Sequence, residues 1–351
     1  MRRVYLIRHG HPDFPLGAHM CLGRTDTPLG PLGRMQAALL GEELGERGLA
    51  VYASPLTRCR ETAAPLGGTA IPVPALAEQD MGPWDGLDFN TIRARWPELY
   101  ARRAAQPLLV PPGAETLLQV RGRVLPAFRA CLEESRGDLA VVVHASVIQA
   151  ILAELTGTPP EESRALRPPY GTYALLEGEG PRVTLTAQLP RPSLTPALAE
   201  RLLAAAAPGP RAEAHCRAVA AESLRIAEAL PLALDRELLA AAALLHDLAR
   251  GEKDHAFLGA AWLRELGYED AAALVGQHHD LKNRTPDEAA ILYLADKCVQ
   301  EDRRVTLEER FAGSESRCRT AEAKKAHRAR LLDALALRDE INRICGKTVV
   351  E

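Results

Sequence analysis

Lysine is missing from the first 250 residues, where arginine alone carries the basic charge; all six lysines follow. Long apolar runs are missing too. The longest, Leu238–Leu245, is far short of the roughly 20 residues a membrane-spanning helix needs. The first, Val4–Ile7, is too short for the core of a secretory leader, so none is expected. No C-x-x-C pair occurs among seven cysteines at 21, 59, 131, 216, 298, 318 and 345, which argues against a zinc ribbon or a dithiol redox centre. Their odd, scattered placement reads as reduced thiols, hence a cytoplasmic protein. The net charge of −3 over 351 residues points to no nucleic acid and no membrane surface. Internal repeats and low-complexity tracts are absent. What remains is ordinary globular composition, 47% hydrophobic and 25% charged, with length enough for about two domains.

Before about residue 190, strand-like runs alternate with helical ones. Val4–Ile7 and "LAVYAS" read as strands, "GRMQAALLGEELGERG" and "LTRCRETAAPLG" as helices. "DLAVVVHASVIQAILAELTG" passes from strand to helix, and "TYALLEGEGPRVTLTA" reads as a closing hairpin with a Gly-Pro turn. Such alternation predicts an α/β fold with a doubly wound, mostly parallel sheet. After "LPRPSLTP" the strands vanish and Ala/Leu-rich helices follow. "TPDEAAILYLADKCV" suggests a capping box with Thr285 as N-cap and Glu288 at its third position, and the last helix is expected to stop at Gly346. The organisation read from this is an α/β domain over 1–190, a linker over 191–209 and an all-α domain with a helical tail over 210–351.

Ligands of open α/β sheets gather at the carboxyl ends of strands. Three such ends carry polar residues here: Arg8-His9-Gly10, then Arg58 within "SPLTRCRET", then His144. Between the last two, "LAEQDMGPWDG" supplies Glu78, Asp80 and Asp85. Singly, each is more often a loop contact. As an ordered set they make a phosphoryl-transfer machine: His9 as nucleophile, Arg8 and Arg58 as bidentate clamps, His144 as a further donor, and a carboxyl group for the leaving oxygen.

"RHG", "GRTDTPLGPLGRMQA", "SPLTRCRETA", "EQDMGPWDG" and "VVVHASVIQAIL" together resemble the histidine phosphatase superfamily, also called phosphoglycerate mutase-like, over about residues 1–190. The resemblance implies that His9 is transiently phosphorylated, that Arg8, Arg58 and His144 form the phosphate pocket, and that Glu78 is the proton donor, with Asp80 the fallback. It places Gly23 where the backbone approaches the substrate. One departure is Ala145, where the family often has glycine after its second histidine. Only 65 residues separate Glu78 from His144, which favours a phosphatase over a mutase with a longer lid. The motifs look nearest to α-ribazole phosphatases and broad small-molecule phosphatases. A phosphotransferase of the mutase type stays as the alternative.

Half of the ten histidines fall between residues 215 and 279: His215, His246, His255, His278 and His279. His246-Asp247 ends the most apolar run of the chain, where an unpaired carboxylate would carry a desolvation penalty of several kcal/mol. Imidazoles and carboxylates converging on one point suit a divalent metal. "HCRAVA", "LLHDLARGEKDH", "VGQHHDL" and "YLADK" resemble the HD superfamily of metal-dependent phosphohydrolases over about 210–311. The resemblance implies His215, His246, Asp247 and Asp296 as ligands of one metal, with Mn, Fe, Mg or Ni suited to the donor set. His255, His278 and His279 fall where some members add a second metal or phosphate contacts. Both one-metal and two-metal sites remain open; the Gly-Tyr-Pro signature of the cyclic-dinucleotide phosphodiesterases is absent after His279.

The expectation is therefore a bifunctional hydrolase. Its first domain needs no cofactor and takes a small phosphorylated metabolite. Its second uses a divalent metal on a nucleotide or phosphate ester, the nearest likeness being small bacterial hydrolases of dinucleoside polyphosphates. The alternative for the second domain is a non-catalytic, nucleotide-sensing role.

Overall fold

The structure is a computed structural model that describes residues 2–106, 108–179, 182–186, 192–316 and 318–351. It divides into two units, Met1–Pro192 and Ser193–Glu351.

In the first unit, six strands form one sheet: β1 (Arg2–Arg8), β2 (Ala50–Ala53), β3 (Ile71–Pro72), β4 (Leu139–Val143), β5 (Tyr173–Glu179) and β6 (Arg182–Thr186). Their order is β3-β2-β4-β1-β5-β6; the first four are parallel and the last two antiparallel. Helices α1 (Pro31–Leu44), α2 (Thr57–Ala63), α3 (Leu117–Glu134) and α4 (Ala145–Thr156) cover it. Alternation along each strand divides the core between two faces. Val4, Leu6, Val141 and Val143 pack with α3 and α4. Tyr5, Ile7, Ala140 and Val142 pack with α1 and α2. Burial on both faces is why β1 and β4 read as unbroken apolar runs. The expected Gly-Pro turn of the hairpin, at 180–181, lies outside the described residues.

Strand register positions the site. Arg8 pairs with Val143 across β1 and β4, and Ala53 with Val142 across β2 and β4. His9 N donates to Val143 O at 3.0 Å and Ser54 N to Val142 O at 2.9 Å, so His9, Ser54 and His144 leave the sheet side by side. Gly10 is required behind them, because a Cβ there would sit 2.5 Å from Gly33 O.

The second unit is helical: α5 (Pro196–Ala206), α6 (Pro210–Ala229), α7 (Arg236–Leu245), α8 (His255–Glu265), α9 (Glu269–Val275), α10 (Glu288–Lys297), α11 (Leu307–Glu315) and α12 (Ala321–Cys345). A two-residue ribbon, Val299–Gln300 with Arg303–Arg304, follows α10. The apolar run of α7 is buried from Leu239 to Leu245 and packs on α6, so it delivers His246-Asp247 into the interior.

Two expectations change here. Residues 191–209, read as a linker, hold α5, whose Leu198, Leu202 and Leu203 are buried and which packs on α7. Helix α10 is capped by Asp287, whose side chain accepts from Ala290 N at 2.8 Å, rather than by Thr285, whose hydroxyl bonds Asn283. The last helix stops at a left-handed Gly346 as expected.

Residues 1–192 and 193–351, expressed apart, are expected to melt cooperatively. A fragment starting at residue 210 loses α5. Each buried leucine contributes about 1.5–3 kcal/mol, so that fragment is expected to melt many degrees below the 193–351 piece. Equal melting temperatures in calorimetry would show that α5 is not part of this unit.

Candidate functional sites

His9 is buried beneath a cleft in the first unit. Its Nδ1 lies 2.7 Å from Gly10 O. A carbonyl only accepts, so Nδ1 carries the proton and Nε2 keeps its lone pair. Arg58 Nε donates to that Nε2 at 3.3 Å. Burial, then the charges of Arg58 and Arg8, hold the imidazole well below its ordinary pKa, so it stays neutral and nucleophilic.

Arg58 is fully buried, and its Nη1 and Nη2 donate to Thr25 O at 2.8 Å and Gly23 O at 2.7 Å. Arg8 donates to Pro168 O at 2.8 Å and lies 3.7 Å over the Tyr170 ring, leaving other donors facing the cleft. The His144 ring stands edge-on to His9, centroids 5.0 Å apart, with Nε2 2.7 Å from Ser54 Oγ. Burial and the neighbouring His9, Arg58 and Arg8 lower its pKa as well.

Glu78 lines the cleft and accepts from Gln79 N at 2.8 Å and Ser146 N at 3.4 Å. Asp80, the fallback acid, does not line it; its carboxylate accepts from Gly82 N and approaches Arg24. Asp85 ties the backbone of Gly23 and Thr25. Gly23 differs from its expected place. It is absent from the cleft lining, and its carbonyl holds Arg58. A Cβ there would meet Gln79 O at 2.7 Å, so close packing explains this glycine. Ala145 does line the cleft. Sequence reasoning missed Ser54, Tyr170 and Arg167, of which only Ser54 stood at a strand end.

In the second unit, His215, His246 and Asp247 each bring a ligand atom within 4.8 Å of the others, and so do His255, His278 and His279. Asp296 joins the first group, its Oδ1 3.0 Å from His215 Nε2 and 3.7 Å from His246 Nε2. Asp247 bridges the groups, with Oδ1 3.1 Å from His255 Nε2 and Oδ2 3.9 Å from His215 Nε2.

These residues fit a divalent cation. The Nδ1 atoms of His215, His246 and His278 lie 2.7–2.8 Å from the carbonyls of Glu301, Ala243 and Val275. Each Nδ1 therefore carries a proton, and in the neutral ring each Nε2 presents a lone pair inward; burial lowers the His246 pKa, but Cys216, Asp247 and Asp296 raise it well above the ordinary value, so an ion would displace a proton from that Nε2. The Nε2 atoms of His246 and His278 are buried with no hydrogen-bond partner. His215 Nε2 lies 3.0 Å from Asp296 Oδ1, so in the neutral ring a lone pair faces that carboxylate oxygen, a repulsion that a cation between them would relieve, as would a second proton on the ring. His255 and His279 hold their Nε2 atoms 2.9 Å apart, close to the roughly 3.0–3.4 Å expected for two nitrogens about 2.1 Å from one ion. Burial, then His278 and Lys297, take His279 down to about 3, so it is neutral at ordinary pH.

Two cations unforeseen from sequence brace the carboxylates. Lys297 Nζ donates to Asp296 Oδ2 at 2.7 Å and to His278 O at 2.8 Å; Arg250 donates to Asp247 Oδ2 at 2.7 Å. Lys297 immediately follows Asp296 in "LADK", the one cue sequence offered.

Residues 4–188 match the model of the histidine phosphatase superfamily (branch 1), and residues 213–300 match that of the HD domain. The chain belongs to the histidine phosphatase superfamily and carries an HD domain behind it, as the motifs implied. It is similar to the metal-independent phosphoserine phosphatase of Arabidopsis thaliana, 30% identical over 163 residues, 44% of this chain and 68% of that one. A 2,3-bisphosphoglycerate-dependent phosphoglycerate mutase of Nitrobacter hamburgensis is 32% identical over 179 residues, 46% of this chain and 84% of that one. Among solved structures, the α-ribazole phosphatase of Shigella flexneri is 25% identical with a TM-score of 0.47, covering 53% of this chain and 95% of that one. No helix among the described residues is long and apolar enough to cross a membrane.

Proposed function

We propose that the first unit is a phosphomonoesterase working through a phosphohistidine. His9 Nε2 attacks phosphorus, the P–O bond to the alcohol breaks, and Glu78 gives the leaving oxygen its proton. Water, deprotonated by the same carboxylate, then cleaves the N–P bond and releases phosphate. Arg8, which lines the cleft, holds the phosphoryl oxygens; Arg58 and His144 are buried behind the lining and would join it by turning donors from Gly23, Thr25 and Ser54. The observation that carries the reading is the His9 tautomer: its proton is committed to Gly10 O, so Nε2 keeps its lone pair, which meets only a long 3.3 Å hydrogen bond from Arg58 Nε. A cavity of about 180 Å³ lies below the roughly 300–1,000 Å³ of drug-sized clefts, which supports a small phosphorylated metabolite as the substrate. The short Glu78–His144 interval favours water over a second acceptor, and so a phosphatase over a mutase.

Glu78→Gln tests the acid. A positioned general acid contributes roughly 10²–10⁴-fold where the leaving group is poor and little where it is already acidic. The variant is expected to lose that factor on sugar phosphates and far less on nitrophenyl phosphate. Equal losses on both would point to a structural role.

For the second unit, the proposal is a metal-dependent phosphohydrolase acting on a nucleotide or phosphate ester. His215, His246, Asp247 and Asp296 would hold the ion, with His255, His278 and His279 available for a second ion or for phosphate. The ion would supply Lewis acidity and make a water a better nucleophile near neutral pH. Lys297 and Arg250 keep the two carboxylates aimed inward.

A further inference from the structure

A second concavity of the first unit shares no lining residue with the cleft above His9 and exceeds it in volume. It is a groove of about 640 Å³ between α3 and α4, walled by Leu108, Leu117, Leu118, Ala150, Ala153 and Pro160. Leu108 and Leu118 are among the exposed large hydrophobic residues of the chain, so water wets an apolar surface here that gains by being covered. The charged and hydroxyl side chains of the lining are already satisfied. Arg121 pairs with Glu154, which also lies 3.5 Å from Arg129 Nη2. Thr116 Oγ1 donates to Gln119 Oε1 at 2.9 Å, and Thr158 Oγ1 lies 2.6 Å from Thr156 Oγ1. A groove with carbon walls and no unpaired charge in its lining suits an uncharged apolar occupant. Its volume falls within the roughly 300–1,000 Å³ of small-molecule sites.

Both walls lead to Glu78. On α3, Arg123 donates to Glu78 O at 3.1 Å and pairs with Glu115 Oε1 at 2.7 Å; Glu115 N in turn donates to Asp80 O at 2.8 Å. On α4, Ser146 N donates to the Glu78 carboxylate at 3.4 Å, and Ser146 Oγ to Gln79 Oε1 at 3.0 Å. Arg123 follows Arg121 of the groove by two residues, and Ser146 lies one turn before Ala150 on the same helix face. Glu78 is therefore held between the two helices that wall the groove. Packed helices shift as units, so a molecule wedged between them moves Arg123 against Ser146 and with them the aim of the carboxyl group.

We propose that this groove binds a small uncharged apolar molecule, and that its occupancy lowers acid-assisted phosphomonoester turnover through Glu78. The effect on turnover rests on the phosphomonoesterase reading; the binding does not.

The test uses the full chain and N-phenyl-1-naphthylamine, an uncharged probe that brightens in apolar surroundings. Ala153→Phe, which fills the groove, is expected to weaken probe binding about 10-fold or more, and Leu118→Ser, which removes part of a wall, to weaken it less. Circular dichroism checks that both variants fold. No binding, or binding unchanged in both variants, overturns the site. Saturating probe is expected to lower kcat/KM for glycerol 3-phosphate about 3-fold or more and that for nitrophenyl phosphate far less, because only the poor leaving group depends on the acid. Hydrogen exchange over residues 78–82 is expected to change with it, a reading that needs no turnover. Probe that binds in the groove and changes neither turnover nor exchange overturns the coupling. A chain that sediments as a dimer in the wild type and as a monomer in Leu118→Ser makes the groove an interface between copies and overturns the small-molecule site. If no monoester is turned over, the phosphatase reading fails by itself, and probe binding and exchange still decide the groove.

Discussion

His9→Ala is expected to lower phosphomonoester turnover by about 10⁴-fold or more, the scale seen when a covalent nucleophile is removed. The expectation follows from geometry. Of the neighbouring imidazoles, His144 is fully buried and turns its Nε2 to Ser54 Oγ, and His11, packed against Phe14 and Tyr170, does not line the cleft, so neither is placed to take over the attack. The fold should survive, because the sheet register lies below the mutated position. Circular dichroism and melting temperature check that point. Rapid quenching with a ³²P-labelled substrate should place acid-labile label on His9 in the wild type and none in the variant. Retained turnover, or label on another residue, would mean that the cleft works by a different nucleophile.

Asp247→Ala is expected to be the most damaging change in the second unit. Its carboxylate lies within 3.9 Å of His215, His246, His255, His278 and the Arg250 guanidinium, so one truncation removes the bridge between both histidine groups. Burial alone would raise its pKa, but His246, His255 and His278 more than offset that and hold it ionised, as a ligand must be. After reconstitution with Mn, Fe, Mg or Ni, the wild type should retain at least one ion per chain by plasma emission, and the variant less than about a tenth of it. A chelator should likewise abolish nucleotide hydrolysis and leave phosphomonoester turnover by the first unit nearly intact. A wild type that binds no ion refutes the metal site. One that binds an ion and hydrolyses no nucleotide or diester leaves the nucleotide-sensing role.

Much of this was legible because it is local. Buried parallel strands need continuous apolar runs, and Val4–Ile7 and Leu139–Val143 are such runs. Gly346 ends its helix because left-handed backbone favours glycine. Catalytic-type residues at strand ends, and imidazoles after an apolar helix, stand out in one dimension because each motif is contiguous. Helix α5 was legible too, since its buried Leu198, Leu202 and Leu203 repeat at helical spacing. The prolines on either side of it have the composition of a linker.

The tertiary structure decided what depends on direction and on distant partners. Glu78 and Asp80 are two residues apart in chemically equal stretches, yet only Glu78 lines the cleft. Gly23 holds Arg58 rather than facing the cleft, a contact across 35 positions. Lys297 and Arg250 found their carboxylates, and Arg167 found only neutral partners, through side-chain rotamers that packing selects. The His9 tautomer depends on which carbonyl its Nδ1 meets. Composition and periodicity determine which segments are buried; they carry no record of where a side chain aims once packed, because that is settled by neighbours far away in sequence.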